Sequence, residues 1–495
     1  MRSTALRWWP VWLLVAGGLL ALGTRLRDRE LAPYVLDEPQ LQDAAAADAR
    51  DGHWATISVL RGTRGVRYGP APLWFYTAVH RVAGPRPEVA IVAAGLFLTT
   101  AIVLLCVVLA RRSEAPVLVL GTGLWLAAAS PFAFFWSRLA WDNSLLAGFT
   151  ALAVATLARA GPVRAGAAAL AGVLVGLAVG THLMAVPFAA AVLWVLARES
   201  RPWRERGKTL GALCLAAAVV LAPYLGTLLH EPSAQALPAG EGMGGRLGRA
   251  LLALVEPFAQ TAGLGLGYFF DADWSRFTAE TGPGAALRVV GPVVAVVVGL
   301  GTLAGLVLGL RAASPGLRRA ARIGLWTWVL HAAFLGALAL PAEPHYQQPL
   351  LWLPVAGWSL AAAALWPGRP RAAGIVLCLA AGVGLWGLGL QRAWMGWIRS
   401  NGGTRGIHYG LTLAAQRRGV SEACSVTTPA VALEVQVVAF PQSLRSLART
   451  EPACTGHRVE FCGPFCARVP PGWSVAAFRY AGPTAQLAPV HPRFR

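Results

Sequence analysis

Charged residues are scarce in this sequence of 495 residues, since only 13% are charged while 56% are hydrophobic. A soluble domain of this length is not so poor in charge. The apolar residues form repeated runs of roughly 17 to 24, which are long enough to cross a bilayer core. Because that core offers no water to exposed backbone groups, such runs must be helices. The composition therefore excludes a soluble globular protein and predicts an all-α polytopic membrane protein.

Lysine is almost absent, with Lys208 the only example, so arginine carries the net charge of +20. The arginines fall mainly in alternate short connections between apolar runs, as the positive-inside rule requires. The charge therefore sets topology and does not indicate nucleic-acid binding. It predicts a multi-pass membrane protein, with the N-terminus in the cytoplasm and the C-terminus outside. No small-residue cleavage site follows the first run, which favours an uncleaved span over a signal peptide.

Eleven spans are predicted from the apolar runs. They lie near residues 8–24, 87–110, 115–136, 143–159, 165–180, 182–197, 209–229, 286–310, 323–340, 349–366 and 373–390. Residues 1–390 would form one transmembrane domain with two long external loops, 25–86 and 230–285. Residues 391–495 are more polar and predict a small extracytoplasmic domain of α/β or mostly β structure.

The seven cysteines divide between the spans and the tail. Those in the spans are interpreted as small packing residues, and they are Cys106, Cys214 and Cys378. An even number of cysteines in an extracytoplasmic tail indicates two disulfides, with three possible pairings. A zinc site that includes His457 is the alternative. The tail cysteines are Cys424, Cys454, Cys462 and Cys466.

The sequence PYVLDEPQ has two adjacent carboxylates, Asp37 and Glu38, early in the first external loop. Strong helix formers follow them and predict a surface helix. Arg61, Arg64 and Arg67 then bring three positive charges within seven residues. This order suits glycosyl transfer from a phosphate carrier, because the acceptor needs a base and the phosphate leaving group needs arginine or a metal ion. Without further information, a solvated pair of loop carboxylates is the commoner interpretation.

Two further elements follow the arginines. The sequence Tyr-Gly-Pro-Ala-Pro from Tyr68 is a predicted turn, and LWFYTAVHRV after it predicts an interfacial helix. Ser137, Arg138 and Asp142 lie between the third and fourth spans, on the same predicted side. Arg and Asp at a membrane boundary are costly unless they are paired or in water. Their spacing allows both on one helix face, and an ion pair that caps the fourth helix is the structural alternative to a site.

In this order, the motifs resemble the GT-C superfamily of membrane glycosyltransferases, in its branch of protein O-mannosyltransferases and aminoarabinose transferases. The resemblance implies an enzyme of a bacterial inner membrane that contacts membrane lipid and transfers a sugar, with inversion, from a polyprenyl-phosphate-linked donor. The acceptor would be a protein, lipid or glycan outside the cytoplasm. Asp37 would be the base, with Glu38 and Asp142 supporting it. If a divalent cation is needed, Asp37 and Asp142 would hold it.

The resemblance also implies which residues bind the carrier phosphate. Arg67 and Tyr68 match the element before the family's Pro-Pro, although this sequence has Pro-Ala-Pro and no lysine there. Arg138 is the second cationic candidate. His345 and Tyr346, between the ninth and tenth spans, would contact donor phosphate or sugar. As an isolated pair, they are also typical of interfacial anchors.

Several interpretations stay open. His182, at a predicted turn between the fifth and sixth spans, is either a polar site residue or a packing histidine, which is commoner. Asp271 and Asp273 in the second loop are cation candidates, but solvated carboxylates are the simpler interpretation. The competing functions are a flippase for lipid-linked sugars and a non-catalytic assembly protein. A transporter should have broken helices near mid-span in repeated halves, whereas these ionisable residues cluster at one predicted face.

Overall fold

The computed structural model describes residues 5–27, 29, 37–62, 66–230 and 243–400, together with four short strands of the tail. For residues 5–10, 39, 87, 267–273 and the tail strands, only the backbone is described. The α-helices of this part of the chain are α1 Ala5–Leu26, α2 Asp37–Asp51, α3 Ala71–Ala83, α4 Pro87–Ala110, α5 Pro116–Ala129, α6 Pro131–Trp136, α7 Asp142–Leu157, α8 Ala165–Thr181, α9 Val186–Ala197, α10 Trp203–Leu228, α11 Met243–Thr261, α12 Gly267–Glu280, α13 Gly282–Gly309, α14 Pro315–Ala337, α15 Leu353–Leu365 and α16 Pro370–Ser400.

The predicted spans all coincide with helices, so the all-α polytopic fold is confirmed. Within the described residues, five segments are long and apolar enough to cross a membrane, and five more are shorter apolar helices. The third span is two helices, because Pro131 starts α6 and the Ser130 hydroxyl accepts a bond from the Ala133 amide at 3.2 Å. The predicted turn between the fifth and sixth spans is also present, since His182 is extended between α8 and a 3₁₀ turn, Leu183–Ala185.

The second predicted loop needs correction. Within residues 230–285, the described part is mostly helical and consists of α11 and α12. Helix α11 packs against α13 and α14, and Ala253 and Phe258 on it are buried. Its apolar stretch was too short to predict a span, but it covers apolar surface of the neighbouring helices.

The first loop contains two helices, as predicted. The helix expected after the carboxylates begins at Asp37 itself, and α3 starts within the Tyr-Gly-Pro-Ala-Pro turn. Gly69 in that turn touches the end of α8, because a Cβ atom on it would lie 2.5 Å from the carbonyl oxygen of Gly180. Only glycine permits this approach, which fixes the first loop against the α8–α9 turn.

At the opposite end of the helices, an arginine joins three connections. The Arg319 guanidinium contacts the Glu199 carboxylate and donates a 2.6 Å hydrogen bond to the carbonyl oxygen of Leu157, the last residue of α7. Arg201 pairs with the same carboxylate at 2.8 Å. The arginine-rich connections therefore meet at one end of the bundle, as alternate loops should.

The cysteine interpretation holds for one span residue. Cys106 is buried in the core, whereas Cys214 and Cys378 are exposed on outward faces of their helices, so the packing interpretation is wrong for those two. The four tail cysteines lie outside the described residues, and their pairing stays a prediction.

The described part of the tail consists of short strands. Strand β1 Ser425–Thr427 pairs in parallel with β2 Arg458–Glu460, and β3 Phe478–Ala481 pairs antiparallel with β4 Thr484–Leu487. The tail domain as a whole stays a prediction.

Candidate functional site

The first turn of α2 holds the predicted carboxylates at one end of the bundle. Glu38 is buried, and its Oε1 accepts a 2.7 Å hydrogen bond from the Ala140 amide. One turn later, Gln42 donates to the carbonyl oxygen of the same Ala140 at 2.9 Å, and its own oxygen contacts His80 Nε2 at 2.9 Å. Glu38 and Gln42 therefore form hydrogen bonds with the amide N–H and the carbonyl oxygen of Ala140. This contact fixes the start of α2 against the connection between α6 and α7.

Asp37 immediately precedes Glu38 and remains partly exposed. Burial raises the pKa of its carboxyl group, and a hydrogen bond with the Trp141 side chain opposes part of that shift. A carboxyl group with a raised pKa is a better base, because its affinity for a proton is closer to what proton transfer at neutral pH needs. Asp37 thus combines access with basicity, whereas Glu38 is committed to the backbone.

Asp142 is the first residue of α7 and is completely buried. Its Oδ1 accepts bonds from the amide and side-chain nitrogens of Asn143 at 2.7 and 3.0 Å. Its Oδ2 has no hydrogen-bond partner among the described residues. Asp142 lies close enough to Asp37 for their charges to interact. The two predicted carboxylates therefore lie at the same end of the bundle, although they come from different loops.

Tyr68 joins these carboxylates to a band of rings. It lies near Asp37 and Asp142, and burial is the main reason why the pKa of its hydroxyl is raised. Its ring packs on that of His182, with centroids 4.2 Å apart. His182 in turn faces Tyr346 at 5.8 Å.

The band continues through the 3₁₀ helix Pro344–Leu350. The rings of His345 and Tyr346 have centroids 4.0 Å apart, and His345 lies 5.7 Å from the Trp141 ring. The structure thus brings the predicted pair His345 and Tyr346 to the same end as Asp37 and Asp142. His182, predicted only as one of two alternatives, lies between Tyr68 and Tyr346.

The two predicted phosphate-binding arginines differ in their surroundings. Arg138 is buried, and its Nη1 donates to the carbonyl oxygens of Arg25 and Arg27, next to the end of α1. It lies before α7 rather than on that helix, so the expected helix-face pair with Asp142 is wrong. Arg67 is only half-buried and immediately precedes Tyr68. Its carbonyl oxygen accepts a 2.8 Å bond from the Tyr224 hydroxyl.

The described residues contain no group of three or more His, Cys, Asp and Glu side chains that could hold a metal ion. A divalent ion at Asp37 and Asp142 would therefore need further oxygen ligands, which substrate phosphate and water commonly supply to Mg²⁺. The Asp142 oxygen without a partner fits such a role. The side chains of Asp271 and Asp273 lie outside the described part, so the second-loop candidates stay predictions.

The sequence did not single out several buried polar residues at this end. Gln347 and Gln348 follow Tyr346 and are completely buried. Asn143 and Ser144, in the first turn of α7, are equally inaccessible. Glutamine in a short external connection normally indicates solvent exposure. Only the position of the two Gln within an otherwise apolar run, QQPLLWLP, could have indicated burial.

Comparison with solved structures reveals a common fold. The chain is similar to ArnT from Cupriavidus metallidurans in the apo state, with a TM-score of 0.53 and 16% identity over 90% of this chain and 85% of that chain. The same protein bound to undecaprenyl phosphate gives 0.50 and 14%, over 88% and 84%. The archaeal oligosaccharyltransferase AglB from Archaeoglobus fulgidus, in complex with an inhibitory peptide and a dolichol-phosphate, gives 0.47 and 12%, over 80% and 56%.

Comparison with protein-family models gives no match, and comparison with curated protein sequences gives none either. The likeness to solved structures therefore concerns the fold, and for apo ArnT it covers 90% of this chain. The resemblance that the first-loop motifs predicted is confirmed at that level: this chain has the fold of the GT-C membrane glycosyltransferases.

Proposed function

We propose that this protein is a membrane glycosyltransferase that takes a sugar from a polyprenyl-phosphate carrier, with Asp37 as the base. The observation that carries the proposal is that a partly exposed Asp37 and a buried Asp142 lie within electrostatic range of each other at one end of a GT-C fold. The structurally similar ArnT binds undecaprenyl phosphate. Fold likeness does not transfer function by itself, so the local chemistry of the site has to carry the argument.

The reaction follows from the groups at the site. An acceptor hydroxyl or amide attacks the anomeric carbon of the donor and loses its proton to Asp37. The bond from that carbon to the phosphate oxygen breaks, and polyprenyl phosphate leaves with the electron pair. Attack opposite the leaving group inverts the anomeric configuration. The raised pKa of Asp37 suits this proton transfer.

The leaving phosphate needs hydrogen-bond donors and positive charge. Half-buried Arg67 is the best cationic candidate, because it adjoins Tyr68 and lies in the same loop as Asp37. Tyr68, His345 and Tyr346 supply donors in the ring band beside it. Arg138 is assigned a positioning role, since its guanidinium holds carbonyl oxygens at the end of α1.

Glu38 is likewise a positioning residue in this proposal. It acts through the Ala140 amide, which fixes the connection that leads into Asp142. A divalent cation would be held by Asp37 and Asp142, where it would neutralise developing charge on the phosphate. The protein residues then orient the donor and accept the proton.

The topology expected from the arginine pattern puts this end of the bundle outside the cytoplasm of a bacterial inner membrane. The acceptor would then be an extracytoplasmic protein, lipid or glycan. The predicted tail domain would lie on that side and would bind the acceptor or cover the site.

The test is transfer of labelled sugar from polyprenyl-phosphate donors in proteoliposomes. Wild type should transfer, and Asp37→Asn should lose about 10²- to 10⁴-fold in rate, the usual contribution of a general base. Asp51→Asn is the matched control, because Asp51 is exposed at the other end of α2. Movement of intact lipid-linked sugar across the membrane without transfer would support a flippase and contradict the proposal.

A further inference from the structure

Several buried polar side chains around Asp142 carry atoms that have no hydrogen-bond partner in the described part of the chain. Both side-chain atoms of Gln347 and both of Gln348 lack hydrogen-bond partners among the described residues. The same holds for Asp142 Oδ2, Asn143 Oδ1 and Ser144 Oγ in the first turn of α7. All five residues are at most 1% exposed. Buried polar groups in native proteins are nearly always hydrogen-bonded, so this concentration requires an explanation.

These residues lie on two elements that pack together. The 3₁₀ helix Pro344–Leu350 contacts α7, and the rings of His345 and Trp141 meet at the start of both elements. Asp142, which carries one of the unpartnered atoms, also interacts electrostatically with Asp37. The group is thus continuous with the proposed reaction site and differs from isolated buried hydroxyls such as that of Thr122 in α5.

The chemistry of these atoms limits what can bind them. The group lacks a cation of its own and contains four unpartnered acceptor oxygens besides Ser144, which disfavours phosphate. The two amide nitrogens are donors and cannot coordinate a metal ion. Each primary amide offers a donor and an acceptor side by side. Two neighbouring hydroxyl groups of a sugar ring have the matching pattern, since every hydroxyl donates and accepts.

We propose that Gln347, Gln348, Asn143 and Ser144 form the subsite for the sugar ring of the donor, and that this sugar carries no negative charge and is rich in hydroxyl groups. The inference rests on the proposed function and adds the substrate class. A carboxylated sugar would find no cationic partner in this group and would bring further acceptor oxygens to the unpartnered Asp142 Oδ2. The amides bind ring hydroxyls, and they hold the anomeric carbon between Asp37 and the carrier phosphate.

The experiment compares the binding of two ligands to purified protein in nanodiscs. One is polyprenyl phosphate, and the other is the same carrier bearing glucose, galactose, mannose or xylose. Wild type should bind at least one sugar-bearing carrier more than about tenfold tighter than the bare carrier, since each buried hydrogen bond is worth about that much. Gln347→Leu and Gln348→Leu should each lose most of this difference and keep the affinity for bare carrier.

Two further variants control for misfolding of the glutamine variants and for the loss of any buried polar group. Ser144→Ala makes a smaller change in the same subsite and should reduce the sugar-dependent affinity about fivefold or more if the glutamine variants do not fold. Thr122→Val removes an equally buried hydroxyl far from the site and should leave both affinities unchanged. Equal binding of bare and sugar-bearing carriers by wild type overturns the inference. So does a sugar-dependent difference that survives in the subsite variants or requires divalent cations.

The binding assay separates this inference from the proposed function. A wild type that shows the sugar-dependent difference but transfers to no acceptor contradicts the transferase proposal and supports the subsite. A wild type that transfers sugar but binds both carriers equally supports the transferase and overturns the subsite.

Discussion

Replacing Asp37 by asparagine tests two properties of the carboxyl group at the start of α2, namely its role as a base and its effect on stability. Asparagine has nearly the same size and can still accept a hydrogen bond from Trp141, but it cannot take a proton from an acceptor. Loss of a general base lowers the rate by about 10²- to 10⁴-fold, or roughly 2.7 to 5.4 kcal/mol in activation free energy. Substrate affinity should change little, because the shape of the site is kept.

The same substitution should raise stability, and the sign follows from proton binding. Burial raises the pKa of Asp37 in the folded protein above its value in the unfolded chain. Between these two pKa values, the folded state binds more protons, so the free energy of unfolding decreases as pH rises. At neutral pH, wild type has lost this stabilisation and carries a partly buried charge, whereas asparagine carries none. Asp37→Asn should therefore melt at a higher temperature at pH 7 and show little gain at pH 3.

Intrinsic tryptophan fluorescence during heating measures the melting temperature, and radiolabelled sugar transfer measures the rate. Rising activity with pH should reach its plateau above the ordinary aspartate pKa of about 3.9. An Asp37→Asn variant that is folded and transfers within threefold of wild type would refute the base assignment. A variant that is inactive and less stable at pH 7 would refute the argument from burial.

The remaining predictions concern positioning and binding. Glu38→Gln keeps an acceptor oxygen for the Ala140 amide and should remain active, whereas Glu38→Ala should lose about 1–3 kcal/mol in stability. If the glutamine variant is inactive per folded molecule, Glu38 acts as a catalytic carboxylate and the positioning role is wrong. Arg67→Gln should raise KM for the donor at least tenfold, while Arg138→Gln should lower the melting temperature and leave KM nearly unchanged. The opposite result would make Arg138 the phosphate-binding residue and Arg67 the positioning residue. Gly69→Ala should lower stability by about 1–3 kcal/mol through overpacking, whereas Gly121→Ala, with open space around it, should raise stability by about 0.5–1 kcal/mol. Equal melting temperatures of the two variants would contradict the close approach of Gly69 to Gly180.

The spans could be predicted because apolar length and arginine placement are properties of continuous segments. Helix α11 was missed for the opposite reason. Its buried residues, such as Ala253 and Phe258, lie in a short apolar run that also exposes Leu251 and Leu252, so the buried face does not stand out in the sequence. That face becomes meaningful only when α13 and α14 lie beside it, which no local pattern reveals.

The candidate site was predictable where chemistry is carried by residue type. Carboxylates and rings in external connections indicated Asp37, Asp142 and Tyr346, and these residues lie at one end. The roles of Glu38 and Arg138 could not be predicted, because both bind backbone atoms more than 100 residues away along the chain. Whether a charged side chain meets substrate or a distant carbonyl oxygen depends on tertiary contacts alone.

The positions of the helix breaks bear on the choice between transfer and transport. Irregular backbone at membrane depth is tolerated only where it is buried in protein or lines a cavity. Here the break at Ser130, the extended His182 and the 3₁₀ helix Pro344–Leu350 all adjoin connections between helices at the end that holds Asp37. A translocation path would place such breaks near the middle of spans, so that polar groups follow the substrate across. The breaks in the described helices at that end are instead consistent with the fixed site that we propose there, which favours transfer of a sugar over movement of the carrier through the bundle.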